Sequence, residues 1–373
     1  MDVVYNHTYR SEDSCLNLTY PDYYYRKTFD GHFSNGSGCG NEIASERFMV
    51  RKYIIDSLCW WAREYKIDGF RFDLMAILDI DTLNEIAVKL KKINPSVILY
   101  GEGWTGGGIA LPFEKSASKY NARYAPEYAF FNDGYRDAIK GDTFNDCDLG
   151  YISGNYHYRQ SIVTGLLGSA NWAGSPCQII NYCEAHDNLT LWDKLCLSAG
   201  GFSADDRKKM SRLAMALVML AQGIPFIHAG QEFLRSKPLE NGFDHNSYRS
   251  PDSVNSLKWY LLDQNQRESD YCRGLIAFRK NHPLLRMRSF WDIEHAAETL
   301  SSPDGTAALK LLGDEEMLIL INPIPRAKMF ILPEGEWYLH VSDVYASEKP
   351  LATFCEGVIV PPISAMVLLK KTV

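Results

Sequence analysis

Two stretches set the architecture of the chain: Asp68-Gly69-Phe70-Arg71-Phe72-Asp73-Leu74-Met75 and Val97-Ile98-Leu99-Tyr100-Gly101-Glu102-Gly103-Trp104. Each is a short apolar run ending in an acid, and one helix-length segment separates them. That helix is predicted over Leu83–Ile93, with Asp81 and Thr82 as capping residues and Asn94-Pro95 as its stop. Strand, helix, strand in this order makes a βα unit whose strands lie parallel and adjacent. Side chains alternate along a strand, so Arg71 and Asp73 share one face, with Phe70, Phe72 and Leu74 on the other. The apolar face can pack under helices, which leaves the charged pair pointing inward.

Upstream, Met1–Asn6 reads as a strand, residues 8–41 as a polar loop, and Ser45–Tyr65 as a helix with Phe48, Tyr53, Ile54, Leu58 and Trp61 at helical spacing. Downstream, strands are predicted at 129–132, 178–183 and 224–228, with helices at 205–222 and 269–280 and an irregular stretch over 103–175. The strands near residues 2, 70, 98, 130, 180 and 226 number six, whereas a closed (β/α)₈ barrel needs eight. The expected fold class is α/β: a (β/α)₈ TIM barrel lacking about its first two βα units. It occupies residues 1–286 and starts near the third strand. Residues 289–373 change character. Short alternating segments (309–312, 317–321, 337–341, 358–360, 366–369) are separated by Pro303-Asp304-Gly305 and Pro333-Glu334-Gly335, which reads as a C-terminal all-β sandwich domain.

A chain of 373 residues with 46% hydrophobic and 23% charged residues is ordinary for a globular protein. Its net charge of −7 comes without the clustered Lys/Arg of a nucleic-acid surface. Nine cysteines, without CxxC or Cys/His metal spacing, suit reduced thiols and a cytoplasmic location. No run approaches the ~20 apolar residues of a membrane helix. The 22 Tyr and 8 Trp fit a rich core, and equally the stacking of sugar rings on aromatic faces.

The acids that matter are those at strand ends. Asp73 beside Arg71 is either a structural ion pair or an ionised nucleophile. Glu102 ends the neighbouring strand. Adjacent strands lie ~4.8 Å apart, which suits the ~5–5.5 Å carboxyl separation of a retaining glycosidase rather than the ~6.5–9.5 Å of an inverting one. Asp187, in Asn181-Tyr182-Cys183-Glu184-Ala185-His186-Asp187-Asn188, stands at a third strand end. Barrel enzymes keep their chemistry at this rim.

Four segments resemble the four short conserved regions of the α-amylase superfamily, glycoside hydrolase family 13. They are Asp2-Val3-Val4-Tyr5-Asn6-His7, Gly69–Asp73, Tyr100–Trp104 and Ala185–Asn188, in that order. Within the superfamily, Leu74-Met75 after Asp73, Tyr100-Gly101-Glu102-Gly103-Trp104, and His186-Asp187-Asn188 followed by Thr190-Leu191-Trp192-Asp193 are similar to type I pullulanases. So are Asp244-His245-Asn246-Ser247-Tyr248 and Ser250-Pro251-Asp252. The resemblance implies cleavage of α-1,6-glucosidic links in a branched α-glucan. Asp73 would be the nucleophile, Glu102 the acid and base, and Asp187 the group gripping the sugar in the transition state. Arg71 would orient Asp73, Asn6, His7 and His186 would bind sugar, and Trp104 would form a stacking wall. No cofactor is implied, and no dense oxygen cluster supports a metal site. Family members begin the barrel upstream of the first region, so the chain reads as a truncated copy that hydrolyses pullulan poorly or not at all. The other readings are an isoamylase or glycogen-debranching hydrolase, and a non-catalytic glucan-binding homologue.

Overall fold

The computed structural model describes residues 1–168 and 170–371. All six predicted strands form and follow one another in chain order. They are β1 (Asp2–Val3), β2 (Gly69–Phe72), β3 (Ile98–Gly101), β4 (Ala129–Phe131), β5 (Ile179–Asn181) and β6 (Ile224–Pro225). Every pair from β1 to β5 is parallel, as strands joined by crossover helices must be. The strands are short, two to four residues, and the described residues form no ring of eight.

By internal contacts the chain divides into two units, one of residues 1–131 and 171–180, the other of 132–170 and 181–373. In the first unit the helix Phe48–Glu64 buries Val50, Ile54, Ile55, Leu58, Cys59 and Ala62. Phe48 and Tyr53, expected in that stripe, are exposed. Tyr53 points away from the i, i+4 run 50-54-58, and Phe48 is the first residue of the helix. The next helix is Ile80–Lys91, and it starts earlier than its sequence suggested. Its cap is Asp79, not Asp81 or Thr82: the Thr82 N–H donates to Asp79 Oδ1 at 2.9 Å.

The second unit joins helices to a C-terminal set of strands. The helices predicted at 205–222 and 269–280 are Ala204–Leu220 and Gln266–Asn281. Eight-residue helices at Asp133–Lys140 and Arg159–Leu166 form where an irregular stretch was expected; two turns of helix carry too little periodicity to be read. A small hairpin of β7 (Pro238–Leu239) and β8 (Gly242–Phe243) precedes the C-terminal strand region. Its strands are β9 (Ala297–Thr299), β10 (Ala307–Leu312), β11 (Glu315–Asn322), β12 (Lys328–Ile331), β13 (Trp337–Val341), β14 (Ala352–Phe354), β15 (Gly357–Val360) and β16 (Ser364–Lys371). Six of them make one sheet in the order β14-β13-β16-β11-β10-β9, and β12 pairs with β15.

The larger sheet is buried on both faces. Leu318 and Leu320 of β11 enter a core with Phe330, Trp337, Val358 and Val360. The alternating Met317, Ile319 and Ile321 enter another with Leu213, Leu217 and Leu275. Complete burial of one such side chain contributes roughly 1.5–3 kcal/mol. This explains the unbroken apolar run of β11, where a one-sided sheet would alternate. All nine cysteines are free thiols. Among the described residues no helix is long and apolar enough to cross a membrane.

Candidate active site

The register of β2 and β3 sets Phe72 opposite Gly101. The next residues, Asp73 and Glu102, therefore leave the carboxyl ends of the two strands side by side. One guanidinium joins them. Arg71 Nη1 lies 2.7 Å from Asp73 Oδ1 and 2.9 Å from Asp2 Oδ1, while Nη2 lies 2.5 Å from Glu102 Oε1. Arg71 is 8% exposed, Glu102 9% and Asp73 16%. Burial works against the Arg71 charge, but Glu102, Asp2 and Asp73 outweigh it and hold the guanidinium above its ordinary pKa.

Backbone geometry sets the rest. Leu74, directly after Asp73, has a left-handed φ of 41°, which ends β2 two residues earlier than its apolar pattern suggests and turns the chain into a 3₁₀ turn at Met75–Ile77. In that posture its N–H donates to Glu102 Oε2 at 2.9 Å, a hydrogen bond that offsets the strain. Glu102 thus has one oxygen toward Arg71 and the other on a backbone N–H. The glycines on either side of Glu102 leave room for this. A Cβ on Gly101 would stand 2.5 Å from the Phe72 carbonyl, and one on Gly103 would stand 2.6 Å from Lys119 Cβ.

His7 Nε2 lies 3.2 Å from Asp73 Oδ2, the oxygen that Arg71 does not hold. Asn6 is buried, and its amide donates to the carbonyls of Asp73 (3.2 Å) and Leu74 (3.4 Å), bracing the strand end. Trp104 is half-buried with its ring 6.2 Å from that of Phe131. The first unit thus brings Asn6, His7, Arg71, Asp73 and Glu102 together, with Trp104 two residues beyond Glu102.

His186 and Asp187 belong to the second unit, on the segment that leaves β5. Both are exposed (57% and 62%), with His186 Nε2 3.6 Å from Asp187 Oδ2. The segment is anchored by Glu184, which is buried. Its Oε1 meets His228 Nδ1 at 2.7 Å and its Oε2 accepts the Leu191 N–H at 2.6 Å. Two residues escaped the sequence reading. Asp2 was readable in principle, since a parallel register puts it opposite Arg71. Glu184 stands in the same motif as Asp187 but depends on His228, 44 residues away. Among the described residues no group of three or more His, Cys, Asp or Glu is arranged to hold a metal ion.

No protein-family model matches the chain. A pullulanase of Bacillus subtilis (strain 168) is 43% identical over 323 residues, covering 85% of this chain and 44% of that protein. The solved pullulanase of Bacillus acidopullulyticus superposes with a TM-score of 0.94 at 37% identity, covering 99% of this chain and 46% of that one. The type I pullulanase of Bacillus subtilis strain 168, solved with maltose, gives 0.93 at 38% identity, covering 100% of this chain and 53% of that one.

These likenesses in sequence and fold place the chain in the α-amylase superfamily. Within it the chain is homologous to the type I pullulanases. It spans about half the length of the relatives it matches.

Proposed function

We propose that the chain carries the catalytic centre of a hydrolase that cleaves α-1,6-glucosidic branch links in pullulan, amylopectin or glycogen-derived dextrins, with retention at the anomeric carbon. The observation that carries this is the Arg71 fork, which reaches Asp73 and Glu102 at 2.7 and 2.5 Å on neighbouring strand ends. Asp73 attacks the anomeric carbon as the bond to the leaving oxygen breaks, and Glu102 gives that oxygen a proton. Water then attacks the glycosyl-Asp73 ester while Glu102 takes the water's proton, restoring both acids. Arg71 holds Asp73 Oδ1 and leaves Oδ2 facing His7, which fixes the direction in which the nucleophile points. His7 faces the free Asp73 oxygen and is exposed enough to meet a sugar hydroxyl. His186 and Asp187 grip the reacting sugar, and Trp104 offers a stacking face. The relative solved with maltose lends support to an α-glucan as the bound class. In this reading residues 1–286 are part of a (β/α)₈ catalytic barrel and 289–373 a β-sandwich domain.

The test is release of reducing ends from pullulan by the chain, by Asp73→Asn and by Glu102→Gln, beside calorimetric binding of maltotriose. Whatever hydrolysis the chain shows should fall by about 10⁴-fold or more in Asp73→Asn while maltotriose still binds. An Asp73→Asn protein as active as its parent overturns the assignment. Glycogen as a parallel substrate separates a debranching preference from a pullulan preference.

A further inference from the structure

Lys237 carries chemistry that the mechanism above does not use. Its side chain is 1% exposed, yet it ends in an ammonium. That ammonium donates to the carbonyl of His186 and, at 3.0 Å, to the carbonyl of Asn188. These are the two residues that flank Asp187. Asn188 itself is in the left-handed region at φ 61°, a posture that costs a non-glycine residue free energy and needs holding.

The backbone of Lys237 is tied as firmly as its amine. Its N–H donates to Asp193 Oδ2 at 2.8 Å, and Ser236 Oγ donates to Asp193 Oδ1 at 2.5 Å. Its carbonyl accepts the Asp244 N–H at 2.8 Å. Asp193 is a first-turn residue of the helix Leu191–Ser198 and is itself held by the Thr190 cap. A stem fixed at both its N–H and its carbonyl thus delivers a buried cation to the two peptide groups on either side of an exposed carboxylate. Burial, reinforced by Arg235, pushes the Lys237 amine below its ordinary pKa, as expected of a cation without a carboxylate in direct contact. A structural lysine that merely filled space would be replaceable by Met. One that fixes peptide orientation through donated hydrogen bonds would not.

We propose that Lys237 is a positioning residue for the sugar-gripping group: it fixes the His186–Asn188 peptides so that the Asp187 carboxylate is presented in one orientation. This rests on the role proposed for Asp187 above. The Thr190-Leu191-Trp192-Asp193 and Asp244-His245-Asn246 motifs then serve it jointly, as the anchors that keep the lysine stem in place.

The experiment compares the chain, Lys237→Met and Asp187→Asn by amide hydrogen exchange and by pullulan hydrolysis. In Lys237→Met, exchange at residues 185–190 should rise by about tenfold or more, with the helix 204–220 as protected as in the parent. Unchanged exchange at 185–190, or a rise spread evenly over the chain, overturns the proposal. On pullulan, kcat should fall by about tenfold or more with KM within about threefold, because only the transition-state grip is lost. Lys237→Arg keeps the charge and donors and should recover part of the exchange protection. Full activity in Lys237→Met beside a dead Asp187→Asn refutes positioning. Full activity in Asp187→Asn instead refutes the role given to Asp187, and the lysine's catalytic meaning goes with it.

Discussion

Arg71→Met removes one cation from between three carboxylates and should be among the most damaging changes to the first unit. The partners differ in exposure: Asp2 is 45% exposed, Asp73 16% and Glu102 9%. Water screens the Asp2 pair, which contributes little. Asp73 and Glu102, by contrast, lose the cation that joins them where little water can replace it. Breaking a buried pair by removing one partner costs about 3–5 kcal/mol, most of it the penalty on the charge left behind. With a urea m-value of about 3 kcal/mol per M for a chain of this size, the unfolding midpoint should drop by roughly 1–1.7 M. Tryptophan fluorescence can follow this. The decisive control is the same substitution in an Asp73→Asn/Glu102→Gln background, where no charge is stranded and Arg71→Met should cost far less. An equal loss in both backgrounds would mean that Arg71 acts by packing and not by charge, and the electrostatic account of the site would fail.

Gly101→Ala places a Cβ 2.5 Å from the Phe72 carbonyl and 2.9 Å from Met75 Sδ. Strand backbone cannot yield cheaply, so the chain should lose roughly 1–3 kcal/mol, and an unchanged thermal midpoint would contradict the close strand approach. Asp79→Ala deletes the cap of the helix Ile80–Lys91 together with contacts from Ser45, Thr82 and Arg51, for an expected cost of about 2 kcal/mol by denaturation. Lys140 is buried, and its pKa is pushed down to about 8, chiefly by burial with Arg136 adding to it. Between pH 8 and its ordinary 10.5 the unfolded chain holds a proton that the folded chain has shed, so stability should rise with pH through that window. Lys140→Met should therefore stabilise the protein by about 3 kcal/mol at pH 7, a gain that fades as pH approaches 10.5. A gain that stays level over that range would exclude burial as the cause.

The parallel array was legible because its signals are local. Gly69–Asp73 and Tyr100–Trp104 each pack an apolar run, a turn glycine and an acid into a few residues, and one helix between them sets their adjacency. The paired acids follow from that adjacency alone. What the sequence hid is long-range or left-handed. Leu74 looks like a continuing strand residue, and only the Glu102 side chain from the next strand makes its positive φ tolerable. Asp79 and Asp81 both precede the apolar run from Leu83, so the local sequence does not choose the cap between them. The choice is made by Ser45 Oγ, 34 residues away, which donates to Asp79 Oδ2 at 2.6 Å. Strands β9, β12 and β14 lie outside the predicted segments: β12 alternates but exposes Met329 and Ile331, and β9 and β14 are three residues long. Lys237 shows the same limit, since a lysine in sequence reads as surface until its carbonyl partners are known.

These hidden contacts share a direction. The Asn6 amide on the Asp73 and Leu74 carbonyls and Lys237 on the His186 and Asn188 carbonyls fix backbone by donating to it, and the Glu102 carboxylate fixes it by accepting the Leu74 N–H. Strands of two to four residues are too short to orient a terminal carboxylate through their ladders alone. The peptide beyond each strand end must be held by a hydrogen-bond partner brought from elsewhere, or the acid it carries would sample many orientations, and loss of a defined reacting geometry weakens catalysis steeply. The donors need not touch a sugar to matter. Their substitution should spare glucan affinity while lowering turnover, whereas loss of the stacking face proposed for Trp104 should do the reverse, and that contrast separates orientation from binding.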